Sequence, residues 1–247
     1  MSDPNLCRRV EEASLNAWPA LQQSLLDGWV LRFARGFTKR ANSIVPLYPS
    51  QQDPVEKVRY CENLYSRERL KTIFRLTTVV DSTALDAMLD ARGYARVDPT
   101  RVVVRQLDGA HFPTHREFTE LARGDWLDAY GRAAGIPAAG HQLHALLLSG
   151  IRTEHVFGVV SAADEVVACG VAVLEREFVG LFDIVTHPSA RRRGHARVLV
   201  ESLLGWGAQR GARHAYLQVV ETNTAGRALW ANLGFEELYR YWYRVAP

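Results

Sequence analysis

Lysine is scarce in this chain, and its scarcity excludes several enzyme classes. Only three lysines occur, Lys39, Lys57 and Lys71, and no lysine follows residue 71. The carboxy-terminal half therefore cannot carry a Schiff-base lysine or the lysine of a P-loop.

Cysteine is equally sparse, which excludes a disulfide framework. Cys7, Cys61 and Cys169 are odd in number and far apart in the sequence. We expect reduced thiols that behave as small buried hydrophobes. His141 and His144 stand three residues apart, but no cysteine or carboxylate pattern with ligand spacing accompanies them, so we predict no metal site.

The chain has neither a long hydrophobic run nor a large excess of one charge. No stretch approaches the roughly 20 apolar residues of a membrane span, and the first residues lack the basic start and apolar centre of a signal peptide. The 30 lysines and arginines face 27 acidic residues, for a net charge of +3, and neither half is strongly basic. These absences predict a soluble cytoplasmic protein that binds neither membranes nor nucleic acids.

The most informative segment runs from Val185 to Ala196. An apolar strand stops at Pro188, and three arginines and Gly194 then lead into a helix. The first turn of a helix offers unpaired amide N–H groups and the positive end of the helix dipole, and a glycine lets an anion approach closely. The segment therefore predicts a phosphate site and an anionic cofactor.

Helices and strands alternate after this segment. The apolar spacing predicts a helix over residues 196–209, ended by Gly211, and a strand over residues 215–220. A second helix begins at Asn223 and ends at Gly234, and an aromatic strand follows over residues 238–245.

This order of motifs resembles the GNAT superfamily of acyl-CoA-dependent N-acyltransferases. The motifs are Arg191-x-x-Gly194-x-Ala196 after a strand, Leu217-Gln218-Val219 with Asn223, and the run Ala228-Leu229-Trp230-Ala231-Asn232-Leu233-Gly234-Phe235. The resemblance covers residues from about 111 to 247. It implies an α/β fold of the α+β type, with a mixed, largely antiparallel, splayed sheet flanked by helices. It also implies acetyl-CoA as the cofactor and direct acetyl transfer to an amine, without an acyl-enzyme.

The resemblance also implies where the cofactor binds. Main-chain amides at the start of the helix would hold the CoA pyrophosphate, and the edge of the preceding strand would pair with the pantetheine arm. The implied cofactor-binding positions are Ile184, Val185, Thr186, Arg191, Arg192, Arg193, Gly194, His195, Ala196, Arg197, Asn223 and Trp230.

Gln218 departs from the family pattern, because some members carry a glutamate base there and a glutamine cannot take a proton. The amine must still lose a proton, so either it arrives partly neutral or a water relay leads to a carboxylate. We predict Asp183, which stands inside an apolar strand, with Glu175 and Glu221 as alternatives. A structural ion pair is the competing interpretation of Asp183.

Trp230 is a second departure, because family members often carry a tyrosine there that protonates the leaving thiolate. An indole cannot perform this step. Among Tyr239, Tyr241 and Tyr243 we predict Tyr241 as the replacement, against the alternative that it is a core residue of an aromatic strand.

Residues 1–108 have an organisation of their own. Helices are predicted over residues 7–16, 54–67 and 84–92, and strands over 29–34, 41–45, 71–77 and 102–107. The helix ending at Gly93 resembles the helix ending at Gly234, and Gly234 lies 141 residues after Gly93. The same offset puts Asp53 at the position of the phosphate, where like charges would repel. We predict a degenerate GNAT-like half over 1–108 and a catalytic half over 109–247, with an unrelated α/β extension as the alternative.

Two helices, over residues 117–132 and 141–148, are expected to cover the acceptor side, where Trp126, Tyr130 and His144 could line an amine pocket. The predicted function is transfer of an acetyl group from acetyl-CoA to the primary amine of a small molecule. A peptide or protein amine as the acceptor, and a non-catalytic acyl-CoA sensor, are the alternatives. The sequence leaves the oligomeric state open.

Overall fold

The computed structural model describes residues 3–137 and 140–247, which contain seven α-helices and eleven β-strands. The first elements are α1 (Pro4–Ala17), β1 (Gln22–Leu26), β2 (Trp29–Phe33), β3 (Ile44–Pro46), α2 (Pro54–Arg67), β4 (Ile73–Thr77), α3 (Thr83–Ala91) and β5 (Ala95–Gln106). The remaining elements are β6 (Phe118–Glu120), α4 (Arg123–Ala134), α5 (His141–Ser149), β7 (Glu154–Ala162), β8 (Glu165–Glu175), β9 (Phe178–Thr186), α6 (His195–Gln209), β10 (His214–Val220), α7 (Thr224–Asn232) and β11 (Glu236–Val245). Over these ranges, no helix has the length and apolar character needed to cross a membrane.

The eleven strands form one sheet in the order β1-β2-β3-β4-β11-β5-β10-β9-β8-β7-β6. Neighbouring strands are antiparallel except for two parallel pairs, β3 with β4 and β9 with β10. The prediction of a mixed, largely antiparallel sheet flanked by helices is therefore confirmed.

Two strands connect the halves of the chain. β5 closes the amino-terminal half in sequence but pairs with β10 and β11, and β11 pairs in turn with β4. The main hydrophobic core follows the same path, because Val10 of α1 and Trp18, directly after α1, belong to one cluster with Trp126, Phe182 and Tyr241. The two halves thus share a sheet and a core.

A buried ion pair fixes α1 against the sheet. Glu11 of α1 accepts hydrogen bonds from the guanidinium of Arg75 on β4 and from the hydroxyl of Tyr239 on β11. The side chains of Glu11 and Arg75 have no exposed surface. Because each buried charge needs the other, this pair holds α1 above β4 and β11.

Local sequence explains the starts of the first two helices. Asp3 and Asp53 stand directly before a proline in the first turn, and each accepts a hydrogen bond from a first-turn amide, that of Asn5 at 2.9 Å and that of Val55 at 3.0 Å. An aspartate cap followed by proline is a strong helix-start signal.

Four consecutive elements correspond between the halves at a constant spacing. The paired first residues are Pro54 and His195, Ile73 and His214, Thr83 and Thr224, and Ala95 and Glu236, each 141 residues apart. Gly93 after α3 and Gly234 after α7 both have a left-handed backbone, with φ of 81° and 76°. The offset seen at these glycines therefore extends from α2 and α6 to β5 and β11.

The prediction of a helix over residues 117–132 is wrong at its start. Phe118–Glu120 form β6 at the edge of the sheet, with Phe118 opposite Val160, and α4 begins only at Arg123. Phe118 packs against the core beneath α6, and the neighbouring strand supplies hydrogen bonds that local spacing does not reveal.

Candidate active site

The strands β9 and β10 separate in the middle of the sheet. They pair from Phe178 and His214 as far as Leu181 and Leu217, although both strands continue beyond this point. Asp183 has a φ of 50°, and the register between β8 and β9 shifts beside it, which is a β-bulge. We call the opening between residues 182–186 of β9 and 218–220 of β10 the cleft.

The β9 side of the cleft is an unpaired strand edge. The His187 amide donates to the Val167 carbonyl at 2.9 Å, and Val185 lies opposite Cys169 of β8. Backbone groups of successive residues point to opposite sides of a strand, so the backbone of Val185 faces β8 while that of Thr186 faces the cleft. Ile184, one residue before Val185, faces the cleft for the same reason.

The loop before α6 presents amides near the same end of β9. Arg192 and Gly194 have φ values of 61° and 87°, and the first helical hydrogen bonds are donated by Arg197 and Val198 to the Gly194 carbonyl. Within the described ranges, no residue accepts a hydrogen bond from the amides of residues 192–196. A Cβ on Gly194 would meet no atom within 4 Å. The loop is an open cradle of donors with exposed arginines beside it, which suits a phosphate group.

The loop is also tied to the strand. The Nε atom of Arg191 donates to the Thr186 carbonyl at 3.3 Å. This contact places the amide cradle beside the cleft.

A histidine meets Asp183 at the bulge. Nε2 of His144 on α5 lies 2.8 Å from Oδ2 of Asp183, and the two side chains are 5% and 17% exposed. Ring centroids 5.2 to 6.2 Å from that of His144 belong to Trp18, Phe37, Trp126 and Tyr130. An enclosed imidazole thus holds a carboxylate that keeps solvent access, an arrangement suited to a general base.

Tyr241 lies across the cleft from this pair. Its hydroxyl donates to Oε1 of Gln218 at 3.0 Å, and Gln218 is the first β10 residue beyond the last pair with β9. Burial by itself would raise the pKa of Tyr241, but the positive charges of Arg40 and Arg75 outweigh it and lower the pKa. Arg75 also stacks on the ring, with Cζ 3.9 Å from the centroid. These charges therefore hold the pKa of Tyr241 below that of an ordinary phenol.

Asn223 and Trp230, two residues predicted to bind the cofactor, contact other residues of the chain. The side chain of Asn223 caps α7 by accepting from the Gly226 amide at 2.9 Å. Trp230 is buried against Phe235, with ring centroids 6.0 Å apart, in the cluster that also holds the apolar face of α6. Contact of Asn223 and Trp230 with a cofactor stays a prediction.

Cys169, the cysteine nearest the cleft, has the features of an unreactive thiol. Cys169 is fully buried, and burial raises the pKa of its thiol to about 12. A thiol of this kind is a poor nucleophile at neutral pH.

Sequence reasoning missed two features of this site. His144 was a candidate only for the pocket lining, and its pairing with Asp183, 39 residues away in sequence, has no spacing signal. Arg40, in the loop between β2 and β3, was not predicted because a single arginine in a loop resembles any surface arginine. The detectable signal was Asp183, an acid inside an apolar strand.

A central pair of parallel strands that separate beside an open helix start is the architecture of the GNAT N-acetyltransferases, which are acyltransferase enzymes. The chain belongs to this superfamily, and residues 6–244 match the family described as "Probable histone acetyltransferase Rv0428c C-terminal".

Individual relatives agree with this membership. The chain is 30% identical over 231 residues to "Probable histone acetyltransferase Rv0428c" of Mycobacterium tuberculosis. The match covers 92% of this chain and 70% of that protein. It is 24% identical over 247 residues to "Uncharacterized N-acetyltransferase YobR" of Bacillus subtilis, covering 96% and 98% of the two chains. The solved GCN5-related N-acetyltransferase from Kribbella flavida has the same fold, with a TM-score of 0.73 at 15% identity over 97% of this chain and 95% of that one.

Proposed function

We propose that the chain transfers an acetyl group from acetyl-CoA to the primary amine of a small molecule. One observation carries the proposal, namely the open amide cradle at the start of α6 beside the unpaired edge of β9. CoA has a diphosphate for the cradle and an extended amide arm that can pair with a strand edge.

The residues at the start of α6 and along the free edge of β9 fit CoA. The first-turn amides around Gly194, including those of His195 and Ala196, suit the diphosphate, because the glycine leaves their approach open. Ile184 and Thr186 offer the strand edge. The four side chains that add positive charge are Arg191, Arg192, Arg193 and Arg197. When bound, acetyl-CoA supplies an acetyl group activated as a thioester.

The chain supplies its own proton acceptor. An acceptor ammonium must lose a proton before its nitrogen can act as a nucleophile, and Gln218 cannot take it. The carboxylate of Asp183, held by His144 at 2.8 Å, is the proposed base, directly or through water.

Tyr241 is the proposed proton donor to the leaving thiolate. Its hydroxyl lies at the Gln218 side of the cleft, and its lowered pKa makes it a better donor than an ordinary phenol. The buried Cys169 takes no part, so no acyl-enzyme is required.

A small acceptor is favoured because the amino-terminal half covers the Asp183 side of the cleft. Trp18, directly after α1, and Phe37 of the loop after β2 both lie against His144, with centroids 5.6 Å from the imidazole. A protein amine is the second candidate, and the name of the histone acetyltransferase relative favours it.

We further propose that residues 1–108 are a degenerate GNAT-like half and that residues 109–247 are the catalytic half. The constant 141-residue offset of four elements supports a repeat. The start of α2, which corresponds to the phosphate cradle, is filled by the chain itself. Asp27 accepts hydrogen bonds there from the amides of Gln51 and Gln52 at 2.9 and 2.8 Å.

The carboxylate of Asp27 takes the place of an anionic ligand. The Ser50 hydroxyl, the two amides and the Lys57 ammonium hold the pKa of Asp27 well below its usual range. Lys57, whose side chain is 1% exposed, lies 3.1 Å from it. We therefore expect one CoA per chain, bound by the carboxy-terminal half.

A thiol-release assay tests the proposal. The purified chain is mixed with acetyl-CoA and either small primary amines or peptides that carry a free α-amino or lysine group, and free CoA is measured. Release with small amines supports the proposal, and release with peptides only supports the second candidate. CoA binding without release for any acceptor would make the chain a sensor and refute the proposed transfer.

A further inference from the structure

Arg40 occupies a rigid loop that the amino-terminal half extends over the cleft. The side chain of Asn42 accepts from the Gly36 amide at 2.9 Å and donates to the Phe37 carbonyl at 2.7 Å. The fully buried Arg32 donates to the Arg40 carbonyl at 2.8 Å. The backbone of Arg40 is thus held in place before any ligand binds.

The guanidinium of Arg40 lies beside the candidate base. Its Cζ atom is 5.7 Å from the Trp18 ring centroid and 5.9 Å from that of Phe182, the residue before Asp183. Trp18 also contacts His144. One aromatic surface therefore carries a fixed positive charge next to the Asp183–His144 pair.

Arg40 is a cation without a carboxylate partner among residues 3–137 and 140–247. The Arg75 guanidinium pairs with Glu11 and that of Arg244 with Asp86, whereas no ion pair within these ranges includes Arg40. Its Nε atom is buried and lacks a hydrogen-bond acceptor. Leaving such a donor unsatisfied is unfavourable, and a carboxylate is the group that best matches a guanidinium.

We propose that the acceptor is an amine that also carries a carboxylate, such as an amino acid, and that Arg40 binds this carboxylate. The ammonium of the same molecule then faces Asp183, so the acid and the arginine bind the two ends of a zwitterion. This inference rests on the proposed function and narrows its substrate class. An N-terminal peptide amine is disfavoured, because its nearest carboxyl carbon is an uncharged amide.

The test compares acceptors that differ only in the carboxylate. Wild-type protein is assayed with α- and ω-amino acids, with their decarboxylated amines and with their amides. We expect kcat/KM to be roughly 10- to 100-fold higher for the amino acids, because a charge-assisted hydrogen bond contributes on that order. Arg40→Gln should remove this preference through KM, and Arg40→Lys should keep part of it. Arg35→Gln is the matched control, since Arg35 is an exposed residue of the same loop.

The outcomes separate this inference from the proposed function. Equal wild-type turnover of amino acids and decarboxylated amines would overturn the inference and leave the acetyltransferase proposal standing. An equal loss for both acceptor classes in Arg40→Gln would also overturn it, because Arg40 would then act through Tyr241. Absence of CoA release with every acceptor would instead contradict the proposed function. The wild-type comparison is decisive even if a variant fails to fold.

Discussion

Replacing Gly194 by tryptophan should abolish tight CoA binding while the protein stays folded. Gly194 has a φ of 87°, and no atom lies within 4 Å of the position of its missing Cβ. A residue with a side chain loses about 1–2 kcal/mol of stability in this left-handed backbone conformation, but its Cβ would contact no neighbouring atom. For a chain of this size the melting temperature should fall by about 2–8 °C.

The effect on binding should be larger than the effect on stability. A bulky side chain at Gly194 fills the space in front of the amides of residues 192–196, which are the proposed donors for the CoA diphosphate. The loss of two hydrogen bonds to a charged group, at about 1.5 kcal/mol each, amounts to about 3 kcal/mol. The dissociation constant for CoA, measured by calorimetry, should therefore rise roughly 150-fold.

Gly211 provides a matched control at the other end of α6. Its φ is 90°, and a Cβ there would also meet no atom within 4 Å. Gly211→Trp should lower the melting temperature to a similar degree and leave CoA affinity unchanged. Wild-type affinity in Gly194→Trp, or equal weakening in both variants, would refute the assignment of the cradle.

Three further predictions concern single side chains. Asp183→Asn should lower kcat by roughly 100-fold or more at neutral pH, because the amide keeps the shape but takes no proton, while calorimetry should show unchanged CoA affinity. Tyr241→Phe should lower kcat by about 10- to 100-fold. Because the pKa of Tyr241 is lowered, its hydroxyl loses its proton at a lower pH than an ordinary tyrosine does. The kcat of the wild type should therefore decline with rising pH already below pH 10. The pH profile of Tyr241→Phe should lack this alkaline decline. Asp27→Asn should remove stability at neutral pH. The pKa of Asp27 is lowered on folding, so its contribution to the free energy of unfolding is present above the ordinary aspartate pKa, near pH 4. This contribution is lost as the pH falls below that value, and urea unfolding at several pH values measures the loss.

Exposed residues of the same types serve as controls. Asp128→Asn on α4 and Tyr60→Phe on α2 change side chains that are exposed, and both should keep wild-type kinetics. Full activity of Asp183→Asn would remove this residue from the mechanism. An unchanged alkaline limb in Tyr241→Phe would assign that limb to another group. Equal acid sensitivity of Asp27→Asn and the wild type would show that this carboxylate does not stabilise the fold.

Local sequence was sufficient for most helix boundaries. α2 spans Pro54–Arg67 as predicted, because an aspartate cap and a first-turn proline mark its start. The segment from Pro188 to Gly194 predicted the start of α6 in the same way, because only a glycine adopts its left-handed turn without strain. β6 was missed, since an edge strand of three residues is stabilised by its neighbour rather than by its own pattern.

Local sequence predicted the open start of α6 and the acid at Asp183, because a helix start and a charge inside an apolar strand depend on neighbouring residues. The separation of β9 from β10 was expected only from the resemblance to the GNAT superfamily. The groups around that acid come from distant parts of the chain. His144 reaches Asp183 from α5, and Arg40 reaches the cleft from the loop after β2. The acidity of Tyr241 arises from Arg40 and Arg75, both in the other half of the chain. Electrostatic contacts of this kind depend on distance in space, and no sequence spacing encodes that distance.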